Sequence, residues 1–497
     1  MPSIKAFFAK LYAARTYKKI QKWSSSPLET QNRVFQSLIS EAAATSFGVD
    51  HDFISINSHE DFVKRVPVRD YEALKPYVDK VVAGEANVLW KGKPLYFAKT
   101  SGTTSGAKYI PITKESMPSH VEAAKNAILL YIHQTGNTQI VDRKMIFLQG
   151  SPVLEDINGV QLGRLSGIVA HYVPKYLQKN RLPSWETNCI EDWETKVNKI
   201  VQETIHEDMS IIAGIPSWVQ MYFEKLLDQK GQKVGDIFKN LNLFIFGGVN
   251  YEPYRSKFET LIGRKVDSIE LYPASEGFFA FQDLQNETGM LLQLDSGMFY
   301  EFISADTFFD ASHQRLTLKD VKIGVNYVII ISTTAGLWAY NIGDTVQFTS
   351  LAPFRVIVSG RIKHFISAFG EHVITKEVEH ALLSALKATD ISVSEFTVAP
   401  QIAPSTELPY HEWFIEFENP PSDLKAFASK IDAAMQLQNS YYKDLVVGKV
   451  LQPLVITPVP KAGFQSYMKQ IGKLGGQNKT PRLSNDRKIA DALTKAI

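Results

Sequence analysis

Residues 243–277 alternate between strand-like and helix-like patterns, and this alternation limits the possible folds more than any other feature of the chain. The apolar run LFIF at 243–246 is followed by two glycines, then by a helix-like stretch at 251–263 and a second strand-like run at 269–272. A strand, a glycine turn, a crossover helix and another strand are the parts from which parallel sheets are built. The segment therefore predicts an α/β fold.

Other segments support the same fold class. Helical periodicity extends over residues 29–44 and 192–206, and short apolar runs at 145–148 and 327–332 predict buried strands. We therefore expect a large N-terminal domain that has mostly parallel sheets and flanking helices.

The pattern changes after residue 344, where short strands, a glycine turn and one helix precede proline-rich loops. A chain of 497 residues is long enough for two domains. We expect a first domain over residues 1–355 and a smaller α+β domain over residues 356–497.

Composition excludes several classes of function. Lysine plus arginine (54) nearly balance aspartate plus glutamate (52), which argues against a nucleic-acid partner. The single cysteine, Cys189, excludes an intramolecular disulfide and a cysteine-built metal cluster, and it favours a reducing, cytoplasmic location. No apolar run is long enough to span a membrane.

The first 28 residues contain no acidic side chain. A basic interfacial helix and an organelle transit peptide are two possible interpretations. The interpretation we favour is an amphipathic helix that packs its Phe-Leu-Tyr face on the domain. The cations are Lys5, Lys10, Arg15, Lys18, Lys19 and Lys22, and they alternate with Ile4, Phe7, Phe8, Leu11, Tyr12 and Ile20.

Residues 100–108, TSGTTSGAK, have the composition of a loop that holds phosphate. Glycines allow backbone N–H groups to turn toward an anion, hydroxyls add donors, and Lys108 adds a positive charge. The spacing departs from the Walker pattern, which has four residues between its glycines and a Lys-Ser/Thr pair directly after the second. Here three residues separate Gly102 from Gly106, and Ala107 lies between Gly106 and Lys108. An ordinary flexible turn is the alternative interpretation of the loop taken alone.

Three further polar turns follow strand-like runs. They are YPASEG at 272–277, NIGD at 341–344 and SGRIK at 359–363. In open α/β sheets, ligands collect where strands end, and an aspartate in such a turn can accept both hydroxyls of a ribose. Taken alone, each also has an ordinary interpretation, which is a common turn sequence for YPASEG, an Asx turn for NIGD and a solvated turn for SGRIK.

The order of these signals resembles that of the acyl-adenylate-forming superfamily, which includes acyl-CoA synthetases and luciferases. A closer resemblance is to the Gretchen Hagen family of acyl-acid amido synthetases, in a bacterial-type member. The chain is shorter than the plant members, and the proline in YPASE replaces a small residue usual there. The motifs that carry this resemblance are VPVRDYEALKPYVDKVVAGEANVLW (66–90), FAKTSGTTSGAKYIPIT (97–113), YPASEG (272–277), NIGD (341–344) and QNKTPRL (477–483).

The resemblance implies an adenylate-forming enzyme fold with a mobile C-terminal lid and a hinge near residues 359–363. It also implies an ATP site in which Tyr272 stacks on adenine, Ser275 touches the α-phosphate and Asp344 holds the ribose, with Arg361 nearby. The nucleotide-binding residues implied are Thr100, Ser101, Gly102, Thr103, Thr104, Ser105, Gly106, Gly248, Tyr272, Ser275, Asp344 and Arg361.

Catalytic roles are implied for Lys108, for Glu276 as the Mg²⁺ ligand, and for Lys479 on the C-terminal domain. Lys473 is a rival for the role of Lys479. The implied reaction is ATP-dependent: a carboxylic acid is adenylated, and its acyl group is transferred to an amino acid or another amine. The alternatives are an acyl-CoA ligase that uses the same first step, and a catalytically silent nucleotide-binding protein.

The partners expected are therefore small molecules: a carboxylic acid and an amine. The acid is expected near residues 215–218 and 248–249, where Trp218 is equally well interpreted as plain core. His171, His206 and His313 are candidates for the amine base by residue type only. The pattern leaves open which acid, which amine and which oligomeric state are used.

Overall fold

The computed structural model describes residues 3–100, 108–173, 178–248, 251–310, 312–362, 365–366, 371, 373–387, 389–402, 404, 408–447, 450–474, 479–484 and 486–495. Contacts divide the chain into two compact units. The first comprises Met1–Val249 and Glu259–Val358, and the second comprises Asn250–Phe258 and Ser359–Ile497.

The described residues form helices in both units. They are α1 (Ile4–Ser24), α2 (Pro27–Ala42), α3 (Ser46–Asp50), α4 (His59–Arg65), α5 (Tyr71–Val82), α6 (Met117–Thr135), α7 (Leu165–Ala170), α8 (Trp185–Asn188), α9 (Trp193–Thr204), α10 (Pro216–Lys230), α11 (Val234–Ile237), α12 (Glu252–Ile262), α13 (Thr375–Leu386), α14 (Leu424–Gln438), α15 (Ser440–Val447), α16 (Gly463–Gln470) and α17 (Lys488–Thr494).

The strands among the described residues form four sheets. They are β1 (Tyr96–Thr100), β2 (Lys108–Ile112), β3 (Lys144–Phe147), β4 (Glu155–Ile157), β5 (Val160–Gly163), β6 (Arg181–Leu182), β7 (Met209–Ala213), β8 (Leu243–Gly247), β9 (Asp267–Ala274), β10 (Gly277–Phe281), β11 (Met290–Leu292), β12 (Met298–Ser304), β13 (Asn326–Thr333), β14 (Tyr340–Leu351), β15 (Phe354–Arg361), β16 (Phe365–Ile366), β17 (Val373–Ile374), β18 (Ser392–Gln401), β19 (Tyr410–Asn419) and β20 (Val455–Val459).

The α/β class is confirmed, and the predicted strand-helix-strand segment is present as β8, α12 and β9. The large sheet has the order β12-β13-β14-β15-β11-β10-β9-β8-β7-β3-β6. Only one half of it is parallel, from β9 to β6. In the other half, the described pairs β9–β10, β10–β11, β11–β15, β12–β13 and β13–β14 are antiparallel.

The expectation of mostly parallel sheets therefore needs correction for this half of the sheet. The reason is the length of the connections. A parallel pair needs a long crossover, whereas β9 and β10 are joined only by Ser275 and Glu276. A turn that short reverses the chain direction, so the polar turn that we expected after a strand is the tip of a hairpin.

The helices have the signals that the sequence predicts. The predicted helix at 192–206 is α9, whose Asp192 side chain caps the amide of Thr195 at 2.8 Å. Trp193, Val197 and Ile200 lie on its buried face at spacings of three and four. This face fills the core beside the parallel strands.

The N-terminal helix is present as α1, but the expected packing face is wrong. Ala6, Ala13, Ile20 and Trp23 are buried, and α1 packs on α6 through this narrow face. The Phe-Leu-Tyr face lies on the opposite side and is exposed. Alanines allow close approach of two helices, so the smaller side chains form the contact. Among the described residues, no helix is both long and apolar enough to cross a membrane.

The second unit contains the sheet β18-β19-β20 and the short pair β16-β17. Helices α13 and α14 pack together, and apolar side chains that include Leu382, Phe396, Trp413 and Ile431 form its core. A buried contact joins His411 Nε2 to Glu371 Oε1 at 2.9 Å. The unit is thus an α+β fold with a core of its own.

Candidate active site

The ends of the predicted phosphate loop are paired in the smaller sheet of the first unit. Thr100 at the end of β1 lies opposite Lys108 at the start of β2. Residues 101–107 lie outside the described residues, so the predictions for Ser101, Gly102, Thr103, Thr104, Ser105 and Gly106 have no structural description. The Lys108 ammonium lies 5.6 Å from the ring centre of Tyr71. The loop therefore joins two antiparallel strands, unlike a Walker loop, which joins a strand to a helix.

Tyr71 and its neighbours connect this hairpin to the NIGD turn. The buried Tyr71 hydroxyl accepts a hydrogen bond from the Tyr109 amide at 2.9 Å. Two residues earlier, the Arg69 carbonyl accepts from the Asn341 amide at 2.7 Å, and the Arg69 amide donates to the Ala339 carbonyl at 3.1 Å. The segment VPVRDY thus holds two of the predicted motifs next to each other.

Asp344 lies in a β-bulge. Residues 342–344 of β14 face Ile329 alone on β13, because the pairing register shifts at this point. Gly343 has φ +87°, which favours glycine, and its amide donates to the Asn341 side chain at 2.8 Å. Bulges change the direction in which the following side chain points. The bulge therefore explains why the motif needs Gly343 immediately before Asp344.

Tyr272 lies beside a second irregularity, in the hairpin of β9 and β10. The register shifts between Phe278 and Ala280, and the Tyr272 ring packs against Phe279 with ring centres 4.9 Å apart. Ser275 and Glu276 form the tip of this hairpin and are half-buried.

The two irregular pairs bring the predicted adenine and ribose residues together. The Tyr272 hydroxyl donates a hydrogen bond to Asp344 Oδ2 at 2.8 Å. In the sheet order, β15, β11 and β10 lie between their strands, which would separate β9 from β14 by about 19 Å in a flat sheet. The contact therefore requires this half of the sheet to curl.

The carboxyl ends of the parallel strands lie along one edge of the same unit. Phe147 of β3 pairs with Ala213 of β7, and β8 beside them ends at Gly247. Gly248 follows with φ +81° and is exposed, while Val249 lies outside the described residues. This is the edge at which ligands bind in open α/β sheets.

Gln149, just beyond β3, is nine-tenths buried, and its side-chain nitrogen has no hydrogen-bond partner among the residues that the structure describes. An unpartnered buried amide costs free energy unless a ligand or water satisfies it. Trp218, at the start of α10, is buried against Trp193 with ring centres 4.5 Å apart, as a core residue would be.

A buried lysine donates hydrogen bonds to the backbone beside this edge. Lys196 Nζ donates to the carbonyls of Gln149 at 3.0 Å and Asn188 at 2.7 Å. Burial lowers the pKa of Lys196 to about 8. The ammonium thus fixes the backbone at Gln149, and neither lysine nor glutamine is predicted from the sequence.

Three predicted residues belong to the second unit. Arg361 ends β15 and is exposed, and Lys479 and Lys473 are exposed as well; Lys363 of the predicted hinge lies outside the described residues. The segment after Lys479 is held firmly. The Arg482 carbonyl accepts from the Val398 amide at 2.9 Å, and the Thr397 hydroxyl donates to the Pro481 carbonyl at 2.7 Å.

Arg482 anchors the same segment through its side chain. Its guanidinium is buried, pairs with Glu395 and Glu379, and donates to the Tyr254 hydroxyl at 3.0 Å. The motif QNKTPRL contains this arginine between a proline and a leucine, and this apolar setting was the sequence signal that it could be buried. Arg482 therefore anchors residues 481–484 beside β18.

The candidate bases occupy ordinary structural positions. His171 lies 2.9 Å from the Pro152 carbonyl and contacts Trp185, and His313 stacks on Phe308. His206 is exposed just after α9. These contacts do not distinguish any of the three as a base.

The described residues contain no cluster of three or more His, Cys, Asp or Glu side chains that would hold a metal ion unaided. Glu276 is a single carboxylate at a hairpin tip. One or two carboxylates together with substrate phosphates are the usual ligands of Mg²⁺, so Glu276 fits a metal that is bound with a nucleotide.

Comparisons with known proteins agree with this arrangement. The sequence matches the GH3 family N-terminal domain over residues 16–182, the central domain over 291–361 and the C-terminal domain over 376–488. One relative is the indole-3-acetic acid-amido synthetase GH3.15 of Arabidopsis thaliana. It is 22% identical, and the alignment covers 91% of this chain and 90% of the relative.

Solved structures have the same fold. A structure of the GH3.15 acyl acid amido synthetase matches 100% of this chain and 97% of its own with a TM-score of 0.79 at 15% identity. A 2-hydroxyisobutyryl-CoA ligase in complex with an acyl-AMP matches 95% and 91% with a TM-score of 0.61 at 13% identity. The fold is therefore that of adenylate-forming enzymes. With the three domain matches spanning more than two thirds of the sequence, the chain belongs to the GH3 family, the Gretchen Hagen family that its motifs resemble.

Proposed function

We propose that this protein is an ATP-dependent acyl acid amido synthetase, which forms an amide from a carboxylic acid and an amino acid or another amine. The observation that carries the proposal is the Tyr272–Asp344 contact. The tyrosine predicted to stack on adenine and the carboxylate predicted to hold the ribose lie together, and the VPVRDY segment connects the Asp344 turn to the Lys108 hairpin. The names of relatives that form amides support the choice of reaction.

In the first half-reaction, an oxygen of the carboxylate attacks the α-phosphorus of ATP. The bond from that phosphorus to the bridging oxygen breaks, and pyrophosphate leaves with the electron pair. Asp344 would accept the ribose hydroxyls in exchange for its bond to Tyr272, and Lys108 would stabilise oxygens that gain negative charge. Glu276 would hold Mg²⁺, which supplies charge neutralisation at the phosphates.

In the second half-reaction, a neutral amine attacks the acyl carbonyl, AMP leaves, and the amine loses one proton. Lys479 or Lys473 of the second unit would reach the reacting oxygens in one of the two steps. Because Arg482, three positions after Lys479 in the same motif, anchors residues 481–484, we favour Lys479. The role of the second unit as a mobile lid, with a hinge near residues 359–363, belongs to the same proposal. So does a cytoplasmic location, which rests on the single cysteine.

On the acid side, we assign the acyl group to the carboxyl edge of β3, β7 and β8. The unpartnered Gln149 amide is suited to donate a hydrogen bond to an oxygen of the acid. Replacing Gln149 by leucine should therefore change the ranking of acids in a substrate panel, with polar acids losing most.

The test is pyrophosphate exchange into ATP, driven by a panel of carboxylic acids. Asp344→Ala should reduce exchange by about a hundred-fold or more, since it removes charge-assisted contacts to the ribose. Asp267→Ala is a matched control, because Asp267 lies on the same strand as Tyr272 and accepts from the Tyr131 hydroxyl at 2.7 Å. Equal loss in both variants would mean that the Asp344 effect is structural.

Lys108 is tested in the same assay. Lys108→Ala should reduce exchange, and Lys99→Ala, one strand position from the loop and exposed, should not. If both Asp344→Ala and Lys108→Ala left exchange unchanged, the site assignment would be wrong.

The acceptor separates the two enzymatic alternatives. AMP release that requires an amino acid supports the amido synthetase, and release that requires CoA supports the ligase, whose fold is shared. If the intact protein shows no pyrophosphate exchange with any acid in the panel, a silent nucleotide-binding protein is favoured.

A further inference from the structure

The exposed face of α1 is one continuous strip with two chemically different ends. Side chains at positions 4, 7, 8, 11 and 12 repeat at spacings of three and four, and positions 15, 18, 19 and 22 continue the same spacing. The first part of the strip is apolar and the second part is cationic. Its apolar residues, Ile4, Phe7, Phe8, Leu11 and Tyr12, are 49–78% exposed, and its cations are Arg15, Lys18, Lys19 and Lys22.

This strip lies on the side of α1 away from the face that is buried against the described part of the protein. Ala6, Ala13 and Ile20 repeat at a spacing of seven on the opposite face, where α1 contacts α6. The Ser3 side chain caps the helix and bonds to Asp142 at 2.6 Å, so the first turn is tied to the fold. The strip is therefore presented outward on a helix whose position is already stabilised by other residues.

The charges on the strip select its partner. No acidic residue occurs before Glu29, and within the described residues none of the four strip cations forms an ion pair. A second copy of this helix would bring the same basic end and no carboxylate to balance it. An anionic surface with an apolar interior complements both ends at once, because phosphate groups can pair with the cations while the aromatic residues enter the boundary with the hydrocarbon.

We propose that α1 docks this protein on membranes that contain anionic lipids, with its apolar end inserted at the interface and its basic end on the headgroups. The helix lies on the surface and does not span the bilayer. This role is separate from the amide-forming reaction, since α1 contributes no residue to the candidate site.

The test is co-sedimentation of the full-length protein with phosphatidylcholine vesicles, with or without phosphatidylserine. Binding is expected only with phosphatidylserine, and it should be lost at about 1 M salt, where the screening length falls to about 3 Å. The double variant Phe7→Ser, Phe8→Ser should bind at least about ten-fold more weakly, because less apolar surface is buried at the membrane interface. Lys18→Glu with Lys19→Glu should weaken it by at least about twenty-fold.

Matched controls are available on other elements. Val49→Ser with Ile54→Ser removes two apolar side chains that are 66% and 83% exposed. Lys230→Glu with Lys239→Glu reverses two exposed charges elsewhere in the first unit. Neither control should change vesicle binding, and all four double variants should keep wild-type thermal unfolding.

Three outcomes would overturn the proposal. The first is no binding to phosphatidylserine vesicles by the folded wild-type protein. The second is equal weakening by the strip variants and their controls. The third is a dimer, measured by light scattering, that the Phe7→Ser, Phe8→Ser variant dissociates while vesicle binding persists, since the strip would then join two copies of the chain.

Discussion

Glu301 is a fully buried charge in the first unit, and replacing it by glutamine tests the energetics of the fold. Its side chain is fully buried and accepts two hydrogen bonds from Arg315, at 2.9 and 2.7 Å, and lies 2.7 Å from His59 Nε2. Arg315 is itself only 4% exposed and also donates to the Val66 carbonyl. Glu301→Gln keeps the shape but leaves a buried guanidinium without its counter-charge.

Removing one partner of a buried ion pair costs about 3–5 kcal/mol, and the glutamine oxygen still accepts one bond, so we expect about 3 kcal/mol. For a cooperative unit of about 350 residues, the unfolding entropy is about 0.7 kcal/mol per kelvin. Glu301→Gln should therefore lower the Tm of the first unit by about 4 °C.

Scanning calorimetry of the wild type and the variant measures this shift. Asp295→Asn is the control, because its pair with Arg33 is exposed and should contribute less than about 1 kcal/mol. A Tm shift in Glu301→Gln no larger than that of Asp295→Asn would refute the reasoning. The double variant Glu301→Leu, Arg315→Met should recover stability, because it removes both buried charges together.

The same pair gives a pH dependence. Burial raises the pKa of Glu301, but the Arg315 charge and the hydrogen bonds from His59 and Arg315 outweigh it, so the pKa is lowered overall. A lowered pKa means that the pair stabilises the fold above the unfolded value of about 4.3 and that this contribution is lost as the pH falls through the folded value. The stability difference between the wild type and Glu301→Gln should thus narrow in acid.

Three other predictions concern single side chains. Burial lowers the pKa of Lys196 to about 8, whereas the pKa of an unfolded lysine is about 10.4. Between these two pH values only the unfolded chain holds the proton, so the stability of the wild type should rise with pH relative to that of Lys196→Met, as urea unfolding would measure. Tyr272→Phe keeps the ring and removes the hydroxyl that bonds to Asp344, so KM for ATP should change less than about five-fold in steady-state kinetics. Tyr272→Ala removes the ring as well and should raise KM for ATP by more than about ten-fold. Arg482→Met leaves two glutamates without their cation and should destabilise the second unit by about 3 kcal/mol in thermal unfolding, while an unchanged Tm would contradict its role as an anchor.

Local patterns predicted much of the fold. The runs at 243–246 and 327–332 are strands β8 and β13, since apolar β-branched and aromatic side chains fit the buried, pleated surface of a sheet. The turn at 275–276 was harder, because a strand end before a helix and a hairpin tip have the same residue types. The antiparallel half of the sheet was missed for that reason.

Long-range contacts were beyond the reach of the sequence. Lys196 and the Gln149 carbonyl are 47 positions apart, and neither residue stands in a motif. On α1, the large apolar residues predicted the wrong packing face, because alanine spacing is a weak signal beside phenylalanine. By contrast, NIGD and YPASEG were identified as motifs, and their contact through Asp344 and Tyr272 follows from two register shifts that no local pattern indicates.

The curl of the large sheet has a consequence for how the protein assembles during folding. Strands β12, β13 and β14 pair with their neighbours along the chain, so loop-closure entropy favours their early formation, whereas β15 must reach back to β11. Tyr272 and Asp344 meet only after that pairing closes the space between β9 and β14. Nucleotide binding during refolding should therefore appear as a late step, after most of the antiparallel strand signal has been recovered.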